Sequence, residues 1–165
     1  MNKEKWITGL VKRYERPLCS YAFSILRDLE RARDVVQDTF LRLCGQKPEK
    51  LKGREAPWLF RVCRNRSLDV IRKENPMEAM SDPQEDALPS NEKNPDEAAA
   101  QSDHARLLPR FLKTLSKNQQ EVIRLKFQQQ LSYREIAHCT QLSESNVGYL
   151  LHTGIKALRE QMINL

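Results

Sequence analysis

The stretch "SYREIAHCTQLSESNVGYLLHTGIKALR", residues 132–159, carries two helical patterns joined by a few polar residues. Ser132 with Glu135 forms a capping box, in which hydroxyl and carboxylate each satisfy a backbone N–H left over at a helix start. That box sets the beginning of a short helix, and Ser143 or Ser145 can cap a longer one after it. Ile136, Ala137 and Cys139, then Leu142, then Val147, Leu150 and Leu151 supply the apolar contacts by which a supporting helix holds a second at a wide angle. This is the pattern of a DNA-reading helix-turn-helix, although a plain helical hairpin satisfies it too. Between Ser143 and Ile155 the second helix has no lysine or arginine, which is unusual for an element that would face a polyanion.

Working outward, "ARLLPRFLKTL" and "KNQQEVIRLKF" add two helical patterns upstream, so residues 104–165 read as one small helical unit. Ahead of it the composition changes. From Asn75 to Ala105 there are eight acids against Lys93 alone, a balance of −7, so the rest of the chain carries +13 of the net +6. Residues 75–103 are rich in Pro, Glu, Asp and Asn and poor in large apolar residues, which predicts an acidic flexible linker unable to fold alone. A flexible chain of that length has an r.m.s. span of about 30 Å.

Residues 1–74 form a second helical unit. In "LERARDVVQDTFLRLC" the positions Ala32, Val35, Val36, Phe40, Leu43 and Cys44 fall on one stripe, leaving Asp34, Gln37, Asp38 and Leu41 outside it. "LCSYAFSILR" precedes it as a mostly apolar helix, and Lys47 to Arg54, with Pro48 and Gly53, reads as a loop. A long helix then runs through "APWLFRVCRNRSLDVIRKE". Leu59, Val62, Cys63, Val70 and Ile71 can face a core, while Arg61, Arg64, Asn65, Arg72 and Lys73 make a basic-polar face beside Trp58 and Phe60. From Lys52 to Lys73 the balance is +5. Cations interleaved with exposed rings suit single-stranded nucleic acid, because phosphates take the charge while bases stack at about 1–3 kcal/mol each. Trp58 and Phe60 also fit as ordinary core residues.

An all-helical protein of two small domains follows, and composition narrows its function. A strongly basic body with an acidic insert fits a nucleic-acid surface. The four cysteines form no CxxC pair, three lie on apolar helix faces as small buried thiols, and no zinc or disulfide framework is expected. The N-terminus is charged and lacks a long apolar run, so neither a signal peptide nor membrane insertion is expected and the protein reads as cytoplasmic. Catalysis is not expected: Glu30, Asp34 and Asp38 are spaced to share a cation, but Arg31 and Arg33 oppose it and no ExxH pair accompanies them. His104, His138 and His152 stand in no fixed relation to a nucleophile, and glycine-rich phosphate loops are absent. No cofactor, metal or small-molecule substrate is implied.

Three stretches carry a family resemblance. "RDVVQDTFLRLC" (33–44), "WLFRVCRNRSLDVIRK" (58–73) and "LSKNQQEVIRLKFQQQLSYREIAHCTQLSESNVGYLLHTGIKALR" (115–159) resemble, in that order, regions two and four of bacterial extracytoplasmic-function sigma factors. These are small RNA polymerase specificity subunits of the sigma-70 family. The resemblance implies core RNA polymerase as a partner, through its beta-prime clamp helices and beta flap, and promoter DNA as the target. It assigns the clamp-helix contact to Asp34, Gln37, Asp38 and Leu41, a face otherwise read as solvated. It assigns minus-ten recognition and melting to Lys52, Arg54, Trp58, Arg61, Arg64, Asn65, Asp69 and Arg72.

For the minus-thirty-five element the resemblance is looser. Gly148, Leu150 and Thr153 stand where many relatives have basic residues, and Gln141 replaces the usual turn glycine. Base readout then falls to Ser145, Asn146, Tyr149, His152 and Thr153, and phosphate clamping to Arg134, Lys156, Arg159 and Lys126. A neutral reading helix is workable if polymerase tethers it, since effective concentration lets a weak site act. The family often pairs with an anti-sigma protein. A stand-alone helix-turn-helix regulator explains residues 104–165 equally well but leaves the Arg-lined helix at Trp58 without a role.

Overall fold

The structure is a computed structural model that describes residues 2–75 and 109–164, and every described element is helical. The acidic segment read as a linker lies, apart from Asn75, outside the described residues. No described helix is long and apolar enough to cross a membrane.

Helix α1, Lys3–Leu26, starts where the Asn2 side chain accepts from the Glu4 N–H at 2.9 Å. It is far longer than the short apolar pattern predicted, and it runs through Pro17. Arg27 ends it in the left-handed region, φ 56°, and the Asp28 carboxylate at once caps α2, Leu29–Cys44, through the N–H groups of Glu30 and Arg31. Two long helices joined by so short a turn lie side by side. The buried stripe of α2 is Ala32, Val35, Val36, Thr39 and Leu43. Phe40 is only half-buried and Cys44 is exposed, a correction to the predicted stripe. Thr39 takes a core position because its hydroxyl donates back to the Val35 carbonyl at 2.8 Å, leaving no unpaired polar group.

The stretch read as a loop contains one helical turn, α3, Pro48–Leu51, opened by Pro48 and buried through Leu51. Gly53 closes it at φ 79°, a conformation that costs a residue with a Cβ about 1 kcal/mol or more. Helix α4, Glu55–Glu74, then packs on α1 and α2. Its core residues include Phe60, 1% exposed, whose ring meets Tyr14 and Tyr21 edge-on at 6.3 and 5.5 Å between centroids. Phe60 is therefore a core residue and not a stacking platform. Val62, Val70 and Ile71, expected to face a core, are only half-buried.

In the C-terminal half a helical turn at 109–112 leads to α5, Lys117–Ile123, which opens on a second capping box, Ser116 with Gln119. Its end widens into a π-turn, Arg124–Gln128, instead of continuing as the regular helix the sequence suggested, and Phe127 is left 59% exposed. Helix α6, Tyr133–Thr140, starts at the predicted Ser132–Glu135 box, with both reciprocal bonds made at 3.0 and 3.1 Å. Gln141 turns the chain at φ 63°, doing a glycine's work with a side chain. Helix α7, Glu144–Ile163, begins at Ser143, whose hydroxyl accepts from the Asn146 N–H at 3.0 Å. Ile136, Cys139, Val147 and Leu151 form the buried corner of the helix-turn-helix. Gly154 lets α5 and α7 touch: a Cβ there would sit 2.8 Å from Ile123 Cδ1.

Candidate nucleic-acid interface

The outward face of α2 is open. Asp34 and Gln37 are exposed, and Leu41 is 70% exposed. Asp38 differs from its neighbours. Its carboxylate faces Arg66 of α4 and lies 3.8 Å from Arg42, so it braces the bundle as well as fringing this face.

The face assigned to minus-ten recognition divides in two. At its ends, Lys52, Arg54, Asn65 and Arg72 are exposed, with Arg54 donating to the Lys50 carbonyl at 2.8 Å and Asp69 pairing with Arg72 at 3.7 Å. Trp58 is half-buried against the core. The middle is occupied by the C-terminal half of the same chain. Arg64 donates from Nε to Glu121 Oε1 at 2.6 Å, with a longer contact from its terminal nitrogen to Oε2 at 3.4 Å. Tyr21 donates to the same Oε1 at 2.5 Å. One turn back on α4, Arg61 lies 3.1 Å from His138 Nε2 on α6, and α4 and α6 pack together over this stretch.

Electrostatics follow from that burial. The Arg64 and Glu121 side chains are 16% and 17% exposed. Burial alone would lower Arg64, but the Glu121 carboxylate outweighs it and holds the guanidinium above its ordinary range. Burial, with Glu121 alongside, pushes the Tyr21 hydroxyl well above its usual value, so it remains a donor. Burial likewise raises the Cys63 and Cys139 thiols to about 12, leaving both as inert packing groups. Removing one member of a buried charge pair costs about 3–5 kcal/mol, because the other is left uncompensated.

The helix-turn-helix presents a separate surface. Arg134, Ser145, Tyr149, His152, Lys156 and Arg159 are exposed, and Tyr149 stands 66% clear. Asn146 is half-buried. Thr153, expected to read bases, instead uses its hydroxyl internally: it accepts from the Gln119 side chain at 3.0 Å and donates to the Tyr149 carbonyl at 2.9 Å. Lys126 Nζ lies over the Tyr133 ring at 5.4 Å, close enough for a cation–π contact. No group of three or more potential metal ligands occurs among the described residues.

Glu121 and Tyr21 did not stand out in the sequence. Glu121 is one acid in a basic stretch, and Tyr21 one aromatic in an apolar helix. What distinguishes them is their meeting with Arg64 across a hundred residues of chain, which no local spacing encodes.

Comparison with known proteins identifies the family of both halves. The Sigma-70 region 2 family profile matches residues 10–76, and the Sigma-70 region 4 profile matches residues 105–158. The chain is 27% identical over 162 residues to the ECF RNA polymerase sigma factor SigM of Bacillus subtilis, covering 96% of this chain and 98% of that one. It is 32% identical over 145 residues to the ECF sigma factor SigL of Mycobacterium tuberculosis, covering 86% and 80%. Among solved structures it resembles the sigma factor RpoE of Bartonella quintana, crystallised in complex with the anti-sigma factor NepR. The TM-score is 0.68 at 20% identity, over 96% of this chain and 97% of the other. The matches span α1–α4 as well as the helix-turn-helix, which a stand-alone regulator would not require. With region 2 and region 4 in order along one all-helical chain, the protein belongs to the extracytoplasmic-function sigma factors of the sigma-70 family: it binds core RNA polymerase and directs promoter-specific initiation.

Proposed function

We propose a division of that work among named surfaces. Residues 1–74 bind core polymerase and open the minus-ten element, residues 104–165 read the minus-thirty-five element, and the acidic segment 75–103 joins them. The observation carrying this reading is the bare α2 face, where Leu41 is 70% exposed between Gln37 and the base of the helix. A leucine on an open polar face gains by leaving water when another protein covers it, and the acids and amides around it make a polar rim. We assign Asp34, Gln37 and Leu41 to the beta-prime clamp helices, with Asp38 contributing at the edge.

Lys52, Arg54, Asn65, Asp69 and Arg72, with Trp58, Arg61 and Arg64 once uncovered, form the minus-ten surface. A base swung out of the duplex costs a few kcal/mol of unstacking, offset there by cation–phosphate contact and a ring to stack on. Arg134, Lys156 and Arg159 clamp phosphates of the minus-thirty-five duplex, while Ser145, Asn146, Tyr149 and His152 face the groove, with Thr153 shaping the helix. The C-terminal half also meets the beta flap. Chemistry belongs to polymerase, and the sigma chain contributes binding and strand separation. The setting is cytoplasmic, where polymerase works, and an anti-sigma partner is part of the reading because RpoE of Bartonella quintana has one.

Run-off transcription with core polymerase on a genomic promoter library tests the assignment. Wild-type chain starts transcription at a discrete promoter set; Asp34→Arg with Leu41→Arg abolishes it with helicity unchanged. Full transcription by that double variant defeats the α2 assignment.

A further inference from the structure

We propose that Tyr133 is a base-reading residue of the minus-thirty-five site: its ring rests against α7 at Gly148 and takes the 5-methyl group of a thymine. The inference rests on reading α7 as the groove helix, and it names a specificity residue that lies outside α7.

Gly148 stands between Ser145 and His152 on one face of α7, three residues after the first and four before the second, and both neighbours are exposed. Having no side chain, it leaves a gap in that face, and α6 fills it. A Cβ on Gly148 would lie 3.6 Å from Cε2 and 3.9 Å from Cδ2 of Tyr133, which are ordinary contact distances. The ring therefore occupies the place that a side chain from position 148 would take. Tyr133 is the first residue of α6, set by the Ser132–Glu135 box, and Lys126 from the π-turn holds its Nζ 5.4 Å from the centre of the ring. Pinned from two sides, Tyr133 is still 46% exposed.

The chemistry selects the base. Arginine or lysine takes guanine bidentately through O6 and N7, and α7 has neither between Ser143 and Ile155. The thymine methyl is the apolar feature that a base pair offers in the major groove. An exposed ring on the reading face thus has one complement there, and covering a methyl group with it is worth about fourfold in affinity. The ammonium group of Lys126 adds a phosphate contact that is blind to sequence. Tyr133 selects and Lys126 holds.

The test uses the full-length chain with core polymerase, on a promoter from the run-off set whose minus-thirty-five thymines are replaced one at a time by deoxyuridine, which removes only the methyl group. Wild type should lose about fourfold in affinity at one thymine. Tyr133→Ala, at unchanged helicity, should bind the thymine and deoxyuridine promoters alike, both as weakly as wild type binds deoxyuridine. Tyr133→Phe keeps the ring and should keep the fourfold ratio. Lys126→Ala should weaken both promoters equally and make binding less dependent on salt. A minus-thirty-five element without A·T pairs, a wild-type ratio of one at every thymine, or a ratio that persists in Tyr133→Ala overturns the proposal. So does loss of the ratio in Tyr133→Phe, which would place the contact at the hydroxyl. Scrambling the whole element separates the proposal from the reading beneath it. Unchanged affinity on scrambled DNA removes α7 as the groove helix, whereas a large loss together with a wild-type ratio of one leaves α7 in place and removes Tyr133.

Discussion

Helices α2 and α4 belong to one small bundle and each carries a face to which we assign a function, yet the two faces meet opposite fates. The face of α2 bears acids, an amide and Leu41, and stands open. The face of α4 bears arginines, and its middle is closed over by the other half through Glu121 and His138. The difference lies in what the rest of the chain offers each. The Arg64 guanidinium finds a carboxylate, Glu121, in the other half and holds it in a site drier than the surface, where the attraction is stronger. An isolated leucine on a polar face finds no such complement in its own chain, which is why we assign it to another protein.

The sharpest way to break the comparison is to spoil the open face. Asp34→Arg with Leu41→Arg should weaken core-polymerase binding by about 2–4 kcal/mol, some 30- to 1,000-fold, as loss of a hot spot does. Arg61→Ala, on the covered face, should leave it within about twofold. Equal losses for the two variants, measured by titration against labelled core enzyme, erase the distinction.

A second test weakens the covering half from within. Gly154→Ala puts a methyl group 2.8 Å from Ile123 Cδ1, so the end of the Ile123 side chain must swing aside at the α5–α7 contact. It should cost at most about 1 kcal/mol of stability in denaturant melts, because alanine's better helix propensity offsets about 1 kcal/mol of the repacking strain. Since α5 carries Glu121, the same variant should loosen the α4 contact and leave the α2 face unaffected.

Alkaline pH separates the two halves more gently. Burial raises the Cys63 and Cys139 thiols to about 12 and lifts Tyr21 well above its ordinary value. Raised values mean that the stability they contribute is complete below the unfolded value, near pH 8.5–9, and is lost as pH climbs through it. The unfolded chain releases protons that the folded chain retains, so stability falls by about 1.4 kcal/mol per pH unit for each thiol, with Tyr21 joining above about pH 10. Replacing Cys139 at the seam with Ala should remove a large part of the thiol-dependent slope in melts between pH 9 and 10, and replacing Cys63 within the bundle a similar part, with Cys19, also raised by burial, contributing the rest.

The smallest effect is at the turn. Gln141 sits at φ 63°, and Gln141→Gly should stabilise by about 0.5–1 kcal/mol, relief of left-handed strain less glycine's greater unfolded entropy. A loss of stability would mean that the glutamine side chain makes a compensating contact.

How far the sequence could be read follows the range of the forces involved. The Ser132–Glu135 box, the Ser143 cap and the stripe Ala32, Val35, Val36 and Leu43 are local, and each stands where it was expected. The Ser116–Gln119 box is equally local, an S-x-x-Q pattern at the start of α5. Phe60 could not be placed because α4 is apolar over a wide arc, and only Tyr14 and Tyr21 of α1 decide which part turns inward. Cys44 looked buried by periodicity, but it is the last residue of α2, where the stripe runs out of partners. Arg64 was legible as a cation but not as a covered one, because its partner lies 57 residues away along the chain.

Energy transfer between dyes on the naturally exposed Cys44 and on a cysteine at Glu160, both exposed, in a Cys19→Ser background, tests the central claim most directly. The account predicts one high-efficiency population in the free chain and a clear fall in efficiency in the complex with core polymerase and promoter. The same efficiency in both states, with transcription intact, would contradict it.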